Sequence, residues 1–485
     1  MNLAYGSTGS KRIITGLMLV AVVLFTGIAA FQTTNFDFRA FYCAGAVARN
    51  GGDPYRSEPL HTCEREQTDA TLSFFARDIV LPAPLPAYDI GALSLISRLP
   101  FSIASKVWTI LLLLTVAGSA VALAYLAKAP LSAVTPVLWL SLGITSVCLG
   151  ELIPLCVLSV LLAAIYARKA NFLGMACAVG GAMVEPHIGL PLLIVGFVYV
   201  RQSRVYLAAV TSVLAIAFLL TAGVGGLEEY VRVVLPSHAA SEIGSDAQLS
   251  LSVILHWLGA SDSLALRAGA ISYIAMIALA VVTAPIVAKK YDDDALLMAV
   301  PAALSIIGGV FIHVTEFAAA IPLVLLILLH RTERRYVFVI ALILLAIPWW
   351  ALGTPMLFGP VTRVVLAATV AAYLTWHYSG YRAGAALTVG LIACAFAAGV
   401  VYWHTATSIP YAGTHLPRNV LSAPYPEASW AWMNQRYMSS GSAASWLLRA
   451  PSWIAAGMVL VSLLTLAMER HRIKSYKFAE RLYEA

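Results

Sequence analysis

Charge is the scarcest commodity in this chain. Only 11% of its residues are Asp, Glu, Lys or Arg, against 60% hydrophobic, where a soluble domain carries about a quarter charged. That balance excludes a water-soluble globular protein and requires a polytopic membrane one. The catalytic signatures of soluble enzymes are also missing. There is no P-loop, no G-x-G-x-x-G opening a helix, no H-E-x-x-H and no G-x-S-x-G, which disfavours a nucleotide-driven machine, a zinc protease and a serine hydrolase. No C-x-x-C or His/Cys metal spacing occurs. The net charge of +7 does not indicate a nucleic-acid partner, because the basic residues stand singly or in pairs beside apolar segments, as a topology signal does.

What is present is a succession of apolar runs. A hydrocarbon core about 30 Å thick needs roughly 20 apolar residues per helix, and the runs predict about 14 spans: 12–31, 103–127, 131–149, 151–167, 171–184, 188–200, 205–223, 265–288, 295–312, 316–330, 336–352, 364–378, 383–403 and 451–468. The first is read as a signal anchor, since it lacks a small-residue cleavage site. Lys128, Arg168, Lys169, Arg201, Arg204, Lys289, Lys290, Arg331, Arg334, Arg335, Arg382 and the basic tail 469–485 then share one side. Excess Lys and Arg in short loops marks that side as cytoplasmic, with both termini inside. The chain is read as one integral-membrane domain, 1–485, in a bacterial inner membrane. Its outer face carries the loops 32–102, 224–264 and 404–450.

The first outer loop opens with N-F-D-F-R-A-F-Y-C-A-G at Asn35–Gly45. A helix is expected over 38–49, with Phe38, Phe41, Tyr42 and Gly45 on one face, lying in the interface and stopping at Gly51-Gly52. Asp37 is the candidate centre of the chemistry, or else the N-cap of that helix, a role contributing about 1 kcal/mol. Cys43 and Cys63 fall in this loop, and an extracytoplasmic location would allow a disulfide between them. Ile79–Leu99, interrupted by Pro82, Pro84 and Pro86, reads as re-entrant or surface-lying.

The ionisable residues nearest the apolar spans collect at the outer turns: Glu151 after Gly150, Glu185 and His187 flanking Pro186, and His313 with Glu316. Ionisable groups at membrane depth are functional candidates by default. Each also has a plainer role, as an interfacial charge, a proline-stabilised turn or an i,i+3 pair. Asp292-Asp293-Asp294 sits inside and reads as a solvated helix start. Trp349-Trp350 and Tyr402-Trp403 read as an aromatic belt. Arg39, Arg232, Arg363 and Arg418 are outer-side arginines suited to a phosphate.

The stretch D-F-x-x-F-Y-x-A-G at Asp37–Gly45, followed by Gly51-Gly52 and Asp53-Pro54-Tyr55, resembles the first extracytoplasmic loop of glycosyltransferase family 87. That family contains polyprenol-phosphate-mannose-dependent mannosyltransferases of the C-type membrane superfamily. Glu151 stands where the family commonly has Gln, Glu185 where it has Lys, and Gln248–Ser252 is similar to its Q-S-x pattern. The resemblance implies an all-α C-type glycosyltransferase fold and an inverting transfer of one sugar, mannose first, from a polyprenyl-phosphate donor to a glycolipid or glycan hydroxyl outside. It implies Asp37 as general base, His313 on the donor phosphate, and Glu316, Glu151, Glu185, His187, Arg39 and Tyr42 as further substrate contacts. No cofactor is expected. Nor is a metal, since Arg39 occupies the third position of what would be a D-x-D. A transporter or flippase of lipid-linked sugars is the alternative, disfavoured because no internal repeat is visible and the acids gather at one face.

Overall fold

The computed structural model describes residues 36–67, 79–143, 145–330, 335–349, 416–435 and 443–483. Among them the chain is all-helical, with no strand beyond an isolated bridge between Gln248 and His313. The first loop forms α1 (Phe36–Arg49), α2 (Ser57–Glu66) and α3 (Ala87–Ile96). The body contains α4 (Phe101–Ala127), α5 (Leu131–Leu138), α6 (Ile153–Arg168), α7 (Phe172–Ala182), α8 (Pro186–Tyr199) and α9 (Arg204–Glu229). Beyond these lie α10 (Leu235–Ser241), α11 (Leu251–Trp257), α12 (Asp262–Tyr291), α13 (Leu296–Ser305), α14 (Ile321–Leu329) and α15 (Arg335–Ala346). The chain closes with α16 (Glu427–Met433) and α17 (Ala443–Tyr483).

Among the described residues five helical stretches are long and apolar enough to cross a membrane: Phe101–Ala127, Leu131–Leu149, Arg201–Ser241, Asp262–Tyr291 and Arg449–Met468. Helix α4 shows what solvent they are built for. Ala104, Trp108, Leu112, Val116 and Ala120 are buried at helical spacing, while Ile103, Val107, Ile110, Leu114, Val121 and Tyr125 are exposed. Both faces are therefore apolar, the pattern of a helix buried on one side in protein and on the other in lipid. The spans expected at 12–31, 364–378 and 383–403 lie outside the described residues, with Arg363, Trp350, Tyr402 and Trp403.

Several expectations are corrected. Helix α1 begins at Phe36, so Asp37 lies within its first turn and not before it. The helix is buried, not surface-lying: Phe38 stacks on Trp108 at 5.0 Å and on Phe101 at 6.1 Å. At Gly45 it runs so close to α3 that a Cβ would come within 2.7 Å of the Leu93 carbonyl carbon, so only glycine fits. Cys43 and Cys63 form a disulfide that ties α1 to α2. The proline-rich stretch before α3 is extended and buried, with Val80 and Leu81 packed inside. Its backbone is satisfied by side chains: Leu81 N–H donates to Glu64 at 3.0 Å, and Ser429 both accepts from and donates to Val80. The loop 224–264 is largely helical, because the run starting at Arg204 continues past a break at Gly223 to Ser241.

At the opposite end Asp293 is buried, not solvated. It accepts two hydrogen bonds from Arg168, at 2.9 and 2.6 Å, lies 3.1 Å from His330 Nε2, and accepts from Ala295 N–H at 3.1 Å. Those donors hold its carboxyl down at about 2, against the opposing effect of burial. Trp349 is also no belt residue; it is buried and donates to the Leu344 carbonyl at 2.7 Å.

Candidate functional site

Four separate connections deliver the site. Asp37 comes from the first turn of α1, held by the packing of Phe36 against Trp430, 6.2 Å between ring centres. Glu151 follows Gly150, whose φ of 86° is open to glycine at little cost. The Gly150 carbonyl accepts from Trp108 Nε1 at 2.8 Å, fixing the turn. Glu185 occupies the N-cap position of α8 and His187 lies in its first turn, where the His187 carbonyl accepts from Tyr273 at 2.8 Å.

The fourth connection is a pair of loops laced together. Leu249 N–H donates to Ile312 O at 2.7 Å, Val314 N–H to Ala247 O at 3.1 Å, and Ile312 N–H to the Gln248 side-chain oxygen at 2.7 Å. Behind the pair Arg449 donates to the carbonyls of Asp246 and Ser245, and Trp453 to that of Leu249. This lacing presents His313 and Glu316 from one side and Glu242 from the other.

The result is an alternating line of carboxylates and imidazoles. His187 Nδ1 lies 3.8 Å from Glu185, and its Nε2 lies 2.7 Å from Glu316 Oε2. Glu316 Oε1 is 3.0 Å from His313 Nδ1, and His313 Nε2 is 3.0 Å from Glu242 Oε2. Glu242 also accepts from Gln248 and, at 2.7 Å, from Trp430 Nε1, with His238 3.5 Å away. Bonded on both nitrogens to carboxylates, His313 is the imidazolium; these contacts raise its pKa well above the ordinary histidine value although burial opposes it. Burial alone would raise Glu242, but His313, His238 and Trp430 bring it down to about 2.

Asp37 behaves oppositely. Loss of solvent raises its pKa well above the usual aspartate value, the charges of Glu151 and Glu242 raise it further, and His313 offsets part of this. Glu151 is raised for the same first reason, and Glu185 to about 8. Among the described residues no lysine or arginine lies within 4.0 Å of Asp37, Glu151, Glu185, Glu242 or Glu316.

Of the sequence candidates, Asp37, Glu151, Glu185, His187, His313 and Glu316 belong to this neighbourhood. Tyr42 does not: it is buried edge-on to Phe101, and its hydroxyl donates to the Leu99 carbonyl at 2.9 Å. Arg39 is buried 3.9 Å from Glu64 and beneath the Phe36 ring. Burial raises Glu64 in turn to about 8. Arg232 pairs with Glu228 at 2.8 Å on the surface, and Arg418 is exposed on a short helix. Sequence reasoning missed Glu242 and His238. A usable signal existed in their i,i+4 spacing, which places both side chains on one helical face. The chain matches no protein-family profile, no curated protein and no solved structure.

Proposed function

We propose that this protein is a C-type membrane glycosyltransferase of about fourteen spans. It moves one sugar, mannose as the first candidate, from a polyprenyl-phosphate donor to a glycolipid or glycan hydroxyl on the extracytoplasmic face. The observation that carries the reading is Asp37, a carboxyl poised at the mouth of a buried helix, with its pKa raised by desolvation and facing an imidazolium. A general base is most effective when its pKa lies near the working pH, and an ordinary exposed aspartate is too weak a base for a hydroxyl.

In the step proposed, the acceptor oxygen attacks the anomeric carbon as its proton passes to Asp37. The bond from that carbon to the phosphate oxygen breaks on the opposite face, and its electron pair leaves with the phosphate. His313, held between Glu242 and Glu316, stands as the nearby cation, and charge is stabilised more strongly where water is excluded. The membrane setting supports a lipid-borne donor, and the sequence has no nucleotide-binding motif to favour a soluble one.

The test is transfer of radiolabelled sugar from a panel of polyprenyl phosphates into membrane lipid extract by the purified protein. Asp37→Asn keeps the shape of the side chain and removes the base, so transfer should fall at least ~100-fold with thermal stability and donor binding retained. Full activity in that variant excludes the mechanism.

A further inference from the structure

Asp37, Glu151, Glu185, Glu242 and Glu316 have no lysine or arginine within 4.0 Å among the described residues. The imidazolium of His313 is already shared between Glu242 and Glu316. A bound cation would bring positive charge to an incoming phosphate. Two clusters have the donor atoms to hold it: His238, Glu242 and His313, and Glu185, His187 and Glu316, in each of which the nearest ligand atoms lie within 4.8 Å of one another.

Their hydrogen bonds separate them. Glu242 accepts on both oxygens, from Trp430 on one and from Gln248 and His313 on the other, so both are already engaged. In the second cluster Glu316 Oε2 and His187 Nε2 face each other at 2.7 Å, and neither is aligned in a hydrogen bond. Glu316 is 3% exposed, so bulk solvent does not reach this oxygen. A buried imidazole nitrogen and carboxylate oxygen this close but out of hydrogen-bond alignment are poorly satisfied by each other and are placed as two ligands of one ion would be.

The rest of Glu316 and His187 is fixed as ligands are fixed. Glu316 Oε1 is held by His313, itself braced by Glu242, and the His187 backbone by Tyr273. Such outer partners orient first ligands and contribute about 10–100-fold in affinity.

We infer that Glu185, His187 and Glu316 form a site for one divalent cation, whose remaining coordination positions take the phosphate oxygens of the donor. One imidazole and two carboxylates suit Mn²⁺ or Zn²⁺. With ligand bonds of about 2.0–2.2 Å, two ligand atoms of one ion stand about 3 Å apart or more, so an ion here would part His187 Nε2 and Glu316 Oε2 slightly from their 2.7 Å. The phosphate part of the inference rests on the transferase reading; the cation site does not.

The experiment is titration of the full-length, untagged, metal-stripped protein in nanodiscs with Mn²⁺ by electron paramagnetic resonance, and with Zn²⁺ by calorimetry. One ion per chain is expected. Affinity should fall at least ~10-fold in Glu316→Gln and His187→Ala, and in Glu185→Gln, the least structurally invasive change. His238→Ala should bind as the parent does. A monodisperse parent protein that binds neither ion overturns the site, as does wild-type affinity in Glu185→Gln or loss of binding in His238→Ala. Transfer assays with chelator separate the two readings. Undiminished transfer by stripped protein overturns the cation's role and leaves the transferase standing. Stoichiometric binding in a protein inactive with every donor does the reverse.

Discussion

At Asp37 two effects act in one direction. The carboxylate loses solvent, and the nearby negative charge of Glu151 disfavours a second one, the combination by which active sites raise the pKa of an acid. A base works only when deprotonated, so the rate must rise with pH through that raised value. The acid limb of the pH–rate profile is therefore expected above the range of an ordinary aspartate. Glu151→Gln removes one raising charge without unburying Asp37, and should move the limb to lower pH. A profile unmoved in Glu151→Gln separates the two carboxyls. Asp37 was legible in the sequence because an acid beside an aromatic, apolar stretch is anomalous on its own. Glu242 was not, because what makes it remarkable in charge is His313, 71 positions later, and nothing local announces that meeting.

At the scale of elements, apolar run length located most of the described spans to within a few residues. It failed where burial depends on contacts from distant segments. The stretch before α3 looked re-entrant or surface-lying because prolines prevent a helix. It is buried because Glu64 and Ser429 supply the hydrogen bonds that a helix would have made internally. Asp293 looked like one of three solvated acids, yet it ties α6, the α12–α13 turn and the end of α14 together through Arg168 and His330. Removing one partner of a buried pair leaves the other charge uncompensated. Asp293→Ala is expected to lower stability by roughly 3 kcal/mol, the lower end for such pairs because Arg168 keeps some solvent. Thermal unfolding in nanodiscs measures it, and Asp293→Asn should recover part of the loss. Sugar transfer at moderate temperature should be unchanged, since the clamp sits at the other end of the bundle from Asp37.

The whole molecule is polar in the literal sense, with different chemistry at its two ends. Helix α12 makes the axis concrete. Its 30 residues extend about 45 Å at 1.5 Å per residue, enough to cross a hydrocarbon core of about 30 Å. Tyr273, in its first half, holds the His187 carbonyl. At its end Lys289 and Lys290 fall in the last turn, just before Asp292 closes the helix at φ 50°. The carboxylate–imidazole line thus belongs to the Ser261 end and the basic clamp to the Lys289 end. Basic loops face the cytoplasm, so the proposed reading has the chemistry outside. Ser261 and Lys289 are both exposed, so each can report its side. In a chain with Cys177 and Cys394 changed to serine, Ser261→Cys should react with a membrane-impermeant maleimide in intact cells. Lys289→Cys should react only after permeabilisation. The reverse pattern would place Asp37 and its neighbours in the cytoplasm, where soluble activated sugars are available and the argument for a lipid-borne donor no longer holds.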